Sequence, residues 1–153
     1  MLTSLIVRLA LPLDMAEVFA LRHEVFVVGQ GVPAALERDD IDQHCVHVLA
    51  RLDGVVVGTG RLVPGRVADD GTLQAATVAT VGRLAVAGAT RGAGVGARLL
   101  ALLEQQAALG GVPVVELHAQ VHAQGFYERA GYASFGTVYQ EAGIDHIGMH
   151  KQL

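Results

Sequence analysis

The chain has 153 residues, of which 52% are hydrophobic and 17% charged, and a formal net charge of −4. This length suits one domain, residues 1–153, and the apolar content excludes a disordered chain. The acidic balance gives no long-range attraction for nucleic acid or an anionic membrane. The one cysteine, Cys45, excludes an intrachain disulfide and a thiolate metal cluster, so a reducing cytoplasm is the expected compartment.

The opening segment, Met1 to Leu13, is apolar but interrupted by Arg8 and Pro12, and it is shorter than the ~20 apolar residues of a membrane helix, so an opening or edge strand is predicted. Asp14 and Glu17 have the spacing of a capping box, and Met15, Val18, Phe19, Arg22, Val25 and Phe26 follow helical spacing, which predicts a helix from Asp14 to Val28. Gly29, Gly31 and Pro33 end it, and the acidic run from Glu37 to Asp42 forms a turn or short helix. Cys45 to Leu52 and Val55 to Val63 are strands around the tight-turn pair Asp53-Gly54. Gly65 to Gly71 is a loop and Thr77 to Val86 a long strand. A helix from Val95 carries Leu99, Leu102 and Leu103 on one face and ends near Gly110-Gly111. Val112 to Gln120 reads as a buried strand and His122 to Ala130 as a short helix. Tyr132 to Tyr139 and Ile144 to Lys151 form a closing hairpin. The order predicts a mixed-sheet α/β or α+β domain.

Between the long strand and the leucine-rich helix lies Arg91-Gly92-Ala93-Gly94-Val95-Gly96. Glycines without Cβ let the backbone N–H groups from Gly92 to Ala97 crowd around an anion at the positive end of the helix, with Arg91 as a cation at the rim. The stretch lacks the Gly-Lys-Ser/Thr ending of a P-loop and the Gly-x-Gly-x-x-Gly spacing of a dinucleotide fold, which disfavours a nucleotide-binding module. It resembles the acyl-CoA pyrophosphate loop, Arg/Gln-x-x-Gly-x-Gly/Ala, of the GCN5-related N-acetyltransferases. Phe126-Tyr127-Glu128-Arg129-Ala130-Gly131-Tyr132 is similar to the Tyr-Glu-x-x-Gly-Phe segment of the same family. Leu21-Arg22, Val25 to Val28, Gln30, Glu37-x-Asp39-x-x-Asp42, His47, Glu141-x-Gly143-Ile144-x-His146 and Met149 resemble its ElaA-like branch, so the likeness runs from about Leu21 to Lys151. Gly29 departs from the glutamate common at that place in the branch, so a substrate role for that carboxylate is absent here.

The resemblance implies a mostly antiparallel central sheet flanked by helices, with a splayed strand pair holding acyl-CoA. It implies acetyl-CoA as cosubstrate, bound by Leu84, Ala85 and Val86 at the strand end, by Arg91 through Ala97, and by Gln120, which falls where many relatives carry a cofactor-facing asparagine. The matching tyrosine sits beside the cofactor sulfur, which makes Tyr127 the candidate to protonate the departing thiolate. Thioester aminolysis needs such a proton, a neutral amine and stabilisation of a tetrahedral oxyanion, and a phenol with pKa near ~10 is protonated at neutral pH. The implied activity is direct acetyl transfer to a primary amine in a ternary complex. The alternative is a non-catalytic acyl-CoA sensor or interaction domain, which would tolerate loss of the Tyr127 hydroxyl.

The general base is more open. In a strand from Val112, Glu116, His118 and Gln120 share one face, so His118 is a candidate relay, with His146, Asp39 and Asp42 as rivals. Acceptor pockets in the resembled fold use the early helices and closing hairpin, which makes Arg22, Asp39, Asp42 and His146 candidates and favours a cationic small amine or peptide amine. None of the seven histidines has the spacing of a metal site, so no metal is expected. Cys45 reads as a small buried residue, and a homodimer is left open.

Overall fold

The computed structural model describes residues 4–153, so the first three positions of the predicted opening strand lie outside the described residues. The remainder of that strand is β1 (Leu5–Leu9), the edge of a seven-stranded sheet. A 3-10 turn at Pro12–Asp14 leads into α1 (Met15–Arg22), which continues as a wider π-helical turn over His23–Val28. α2 (Ala34–Glu37) and a 3-10 segment (Asp40–His44) precede the hairpin of β2 (Val46–Leu52) and β3 (Val55–Val63). A small hairpin, β4 (Arg66–Val67) with β5 (Leu73–Gln74), occupies the predicted loop. β6 (Val78–Val86), α3 (Val95–Leu109), β7 (Val114–Gln120), α4 (Gln124–Arg129), β8 (Ala133–Glu141) and β9 (Ile144–Gln152) complete the chain.

The capping-box expectation fails, because the helical path already begins at Pro12. The Asp14 carboxylate accepts the Leu11 N–H at 2.7 Å and pairs with Arg8 and Arg51. Glu17 turns to Arg51 instead of to the helix end. Both hairpin turns form as predicted, with positive φ at Asp53-Gly54 and again at Ala142-Gly143, the geometry whose twist suits two-residue connections.

The sheet runs β1-β2-β3-β6-β7-β9-β8, and every pairing is antiparallel except β6 with β7. Parallel neighbours need a crossover, and α3 supplies it, packed on one face of the sheet. Leu99, Leu100 and Leu103 of α3 are buried there, and Leu102 lies half-buried at the margin of the stripe. Gly58 and Gly60 on β3 make room for this contact, since a Cβ at either would stand 2.8 Å from Leu99 Cδ1 or Leu103 Cδ1. The other face is covered by α1 and its π-helical continuation through Val18, Leu21 and Val25 against Leu49, Val56 and Ala85.

Two irregularities in β6 break the regular pattern of the sheet. Thr59 pairs with Ala85 but Arg61 pairs with Gly82, so one residue of β3 faces two of β6, and Arg83 takes φ 52° in this bulge. Val81 and Leu84 both pack on the α3 face, and the extra residue turns Arg83 to the opposite side, where it meets α2. In addition, β6 pairs with β7 only from Val78–Val114 to Val81–Leu117, and beyond that couple the two strands are unpaired with each other.

Between the sheet and the α1–α2 layer, three arginines and three carboxylates alternate in a closed ring. Arg22 donates to Glu37 and Asp42 at 2.7 Å each, Arg61 to Asp42 at 2.9 Å and Asp39 at 2.8 Å, and Arg83 to Asp39 and Glu37 at 3.3 Å each. Burial disfavours ionised Asp39 and Asp42, yet the arginine hydrogen bonds and charges outweigh it and hold both carboxyls below their ordinary value. Burial likewise holds the His47 imidazole below its ordinary pKa, with Nε2 on the Asp42 carbonyl at 2.9 Å.

Leu103→Ala should destabilise the protein by about 2–5 kcal/mol in urea unfolding, the cost of lost burial plus a cavity. Stability should also fall with acid in two stages. Groups with depressed folded pKa stabilise above their unfolded values, so the urea midpoint should drop as pH falls below ~6.5 through His47, and again below ~4 through Asp39 and Asp42. His47→Gln should remove the first stage and leave the second.

Candidate active site

Where β6 and β7 separate, a cavity of about 890 Å³ opens on the α1 face of the sheet. Leu84, Ala85 and Val86 line one side, and Leu117, His118 and Gln120 the other. β6 stays paired to β3 as far as Val86, so its β7 edge past Val81 is where unpaired backbone groups face the cavity. The cavity extends to Arg91, whose Nε donates to the Val86 carbonyl at 3.1 Å.

At that end begins the glycine turn. Gly92 and Gly94 have φ of 84° and 79°, where an L side chain is strained, and no protein atom lies within 4 Å of a Cβ built at either. Thr90 and Arg91 still donate to backbone carbonyls, and Arg98 N–H bonds to Gly94 O, but among the described residues no protein acceptor meets the N–H groups from Gly92 to Ala97. That run of bare donors at the start of a 15-residue helix, opening on free space, fits a pyrophosphate. Gly96 has a second duty, because a Cβ there would stand 3.4 Å from the Phe126 ring that braces α4 against α3.

Tyr127, on α4, lines the same cavity, and its hydroxyl has no hydrogen-bond partner among the described residues. Burial pushes its pKa up to about 12, so the phenol holds its proton at neutral pH. The neighbouring Tyr132 is committed elsewhere, donating to Glu104 at 2.8 Å in the core.

His118 stands on the β7 wall, one residue past the last β6–β7 couple, with Nδ1 hydrogen-bonded to the Tyr139 hydroxyl at 2.6 Å and Nε2 unpartnered among the described residues. His146 lines the cavity from β9, but it is buried and its Nδ1–H donates to Ile144 O at 2.7 Å, while Nε2 lies 3.6 Å from Glu141. Gln120 pairs amide to amide with Gln30 at 2.8 and 3.2 Å, a link across the mouth of the cavity from β7 to the end of the π-helical turn.

The acidic side differs from the sequence expectation. Arg22 and Asp42 do not line this cavity; Arg22 is 1% exposed and spends its guanidinium on Glu37 and Asp42. Asp39 does line it, but Arg61 and Arg83 neutralise it, so these carboxylates give no free negative charge to draw a cationic amine. Glu37, Arg61 and Arg83, passed over in the sequence, line the cavity, and Tyr139 orients His118. The available signal was two arginines inside otherwise apolar strands. Cys45 is partly exposed, with Sγ 3.3 Å from Ile41 O, and burial raises its pKa to about 11, so it is held as a thiol. Among the described residues no three His, Cys, Asp or Glu side chains group as a metal site, and no helix is long and apolar enough to cross a membrane.

Known proteins resemble the chain over nearly its whole length. Residues 14–153 match the family described as an acetyltransferase (GNAT) domain. ElaA of Escherichia coli is 32% identical over 146 residues, 92% of this chain and 91% of that protein. Its crystal structure superposes with a TM-score of 0.79, covering 97% of this chain and all of the other. An acyl-CoA N-acyltransferase from Pseudomonas aeruginosa is 33% identical with a TM-score of 0.79, over 97% of this chain and 99% of that one. At 17% identity and a TM-score of 0.75, covering 98% and 94% of the two chains, YncA of Salmonella typhimurium, solved with acetyl-CoA, shares the fold. The expected fold class and cosubstrate therefore hold, and the chain belongs to the GNAT acetyltransferases, acyltransferases that use acetyl-CoA as cosubstrate.

Proposed function

We propose that this enzyme transfers the acetyl group of acetyl-CoA to a primary amine by direct attack, with both substrates bound together. The reading is carried by one coincidence: the open β6 edge at Leu84 to Val86 and Tyr127 with its unpartnered hydroxyl line one cavity, and at its Arg91 end the chain runs directly into the bare N–H groups of Gly92 to Ala97. Acetyl-CoA supplies the activated acetyl group. The glycine turn would hold its pyrophosphate by backbone donors with Arg91 at the rim, and the open strand edge would take its pantetheine amides as an added strand does, beside Gln120.

As the carbon–nitrogen bond forms and the carbon–sulfur bond breaks, nitrogen gives up a proton and sulfur takes one. Tyr127 is the proposed donor, since burial keeps its phenol protonated through the working pH range. His118 is the proposed acceptor. Its Nδ1 is held by Tyr139, which leaves Nε2 as the nitrogen open to the cavity, whereas Asp39 and Asp42 are poor bases with arginines holding them ionised. His146 is the rival, with one nitrogen committed to a carbonyl.

Free-thiol release from acetyl-CoA across a panel of amines tests the activity. Gly94→Val adds a branched side chain where the pyrophosphate would approach. The protein has room for it at a backbone cost of about 1–2 kcal/mol, so a folded variant with strongly weakened acetyl-CoA binding in calorimetry is expected. Unchanged affinity would remove the pyrophosphate assignment. Tyr127→Phe keeps the ring and removes the proton, so kcat should fall ~100–10,000-fold with acetyl-CoA affinity intact. A wild-type rate with chemistry limiting would return Tyr127 to a packing role and favour water as the proton donor.

A further inference from the structure

The parting of β6 from β7 leaves a niche whose chemistry bears on the acceptor. Gly82 is the first β6 residue past the last paired couple, and a Cβ built on it meets nothing nearer than Arg61 Nε, at 4.0 Å. That Nε is buried and has no hydrogen-bond partner, although every other donor nitrogen of Arg61 that bonds is bound to Asp39 or Asp42. Buried donors are nearly always satisfied, so an orphan beside a cavity signals a group that binds there. Next to it, Arg83 is 27% exposed, and its Nε and Nη2 are tied to Glu37, Leu36 O and Asp39. Its Nη1 is bonded to nothing among the described residues. The ring thus fixes the guanidinium by two nitrogens and leaves the third without an acceptor among the described residues, and Arg83 lines the cavity together with Arg61 and Gly82.

An open guanidinium edge beside an orphaned N–H suits an anion, and a carboxylate above all. The place of the niche limits what carries it. Gly82 and His118 are each one residue past the Val81–Leu117 couple, on strands whose neighbours lie ~4.8 Å apart where paired. Thr80 and Glu116 pair, so Gly82 and His118 two residues on fall on the same face of the sheet. Gly82, Arg83 and His118 line the same cavity, so an acceptor that carries both an amine and a carboxylate can address both walls at once.

We propose that the acceptor is a short-chain amino acid whose carboxylate sits over Gly82 against Arg83 and Arg61 while its amine faces His118. This rests on the reading of the site as an N-acetyltransferase and names its substrate class. It removes the basis for preferring a cationic amine, which came from carboxylates that the fold has already neutralised. The reaction keeps its balance: the amine of the amino acid becomes the amide, and the carboxylate takes no part in bond making.

The test compares thiol release for glycine, β-alanine and alanine with that for their primary amides and for diamines, with rates expressed per neutral amine because acids and amides differ in basicity. The acids are expected to exceed the amides ~10–100-fold in kcat/KM, the range of a charge-assisted hydrogen bond. Arg83→Gln should bring that ratio near one, whatever it does to the absolute rates, because acids and amides are compared within the same variant. Thiol release with equal rates for acids and amides, or with diamines preferred, would overturn the proposal and leave acetyl transfer standing. A ratio that survives in a folded Arg83→Gln would overturn it too. Should that variant not fold, the wild-type ratio decides. If no amine is turned over, the transferase reading fails, and calorimetry of N-acetylglycine against N-acetylglycinamide with CoA present decides the niche separately: a ~10-fold preference for the acid supports it, and equal binding refutes it.

Discussion

The architecture of the site depends on a closed circuit of six buried or half-buried charges. Each arginine spans two carboxylates and each carboxylate two arginines, so Arg22, Glu37, Arg83, Asp39, Arg61 and Asp42 neutralise one another, with Arg61 Nε left as the one buried side-chain donor unpartnered among the described residues. Isolated ions at that depth would be prohibitively costly, and even a single buried pair often fails to recover its desolvation. Closing the ring changes the arithmetic, because every charge has two opposite neighbours and several hydrogen bonds. Removing one member would strand its two partners, which makes the ring a specification of geometry more than a source of stability.

What it specifies is the β6 bulge. A non-glycine residue at φ 52° is strained, and such strain persists only when the surroundings over-determine it. Here the Arg83 guanidinium donates to the Leu36 and Glu37 carbonyls and to two carboxylates, so helix α2 and the segment after it grip the bulge from above the sheet. The bulge in turn increases local twist in β6 just where its pairing with β7 ends. The charged layer and the opening of the sheet thus meet at Arg83, two residues past the last β6–β7 couple.

Each end of the groove meets a different demand with a different material. At the α3 end the donors are backbone N–H groups, fixed in direction and unable to titrate, which suits a permanently charged pyrophosphate. In the middle, the strand edge offers amide geometry. At the far end the groups are side chains that hold or move protons: a phenol kept neutral by burial and an imidazole turned by Tyr139.

Much of this was legible in the residues themselves. The glycine turn, the helix it opens, both Asp/Ala-Gly hairpins and the period-two faces of β7 follow from local rules about φ, Cβ and alternation, and those rules act over a few residues. The family resemblance likewise rests on contiguous motifs. The ring was not legible, since its members come from α1, α2, the 3-10 segment, β3 and β6, and no local spacing relates Arg22 to Asp42 or Arg61 to Asp39. Asp39 and Asp42 therefore read as free acids when they are neutralised, and Arg22 as a ligand when it is a strut. The Arg83 bulge escaped for a related reason: nothing in Gly-Arg-Leu-Ala-Val marks an extra residue, and only the pairing with β3 shows that period two is broken there. Sequence determined which residues could turn, alternate and cradle an anion, because those are properties of neighbours along the chain. Tertiary structure decided which charges remain free to meet a substrate, because neutralisation depends on who else arrives at the same few ångströms.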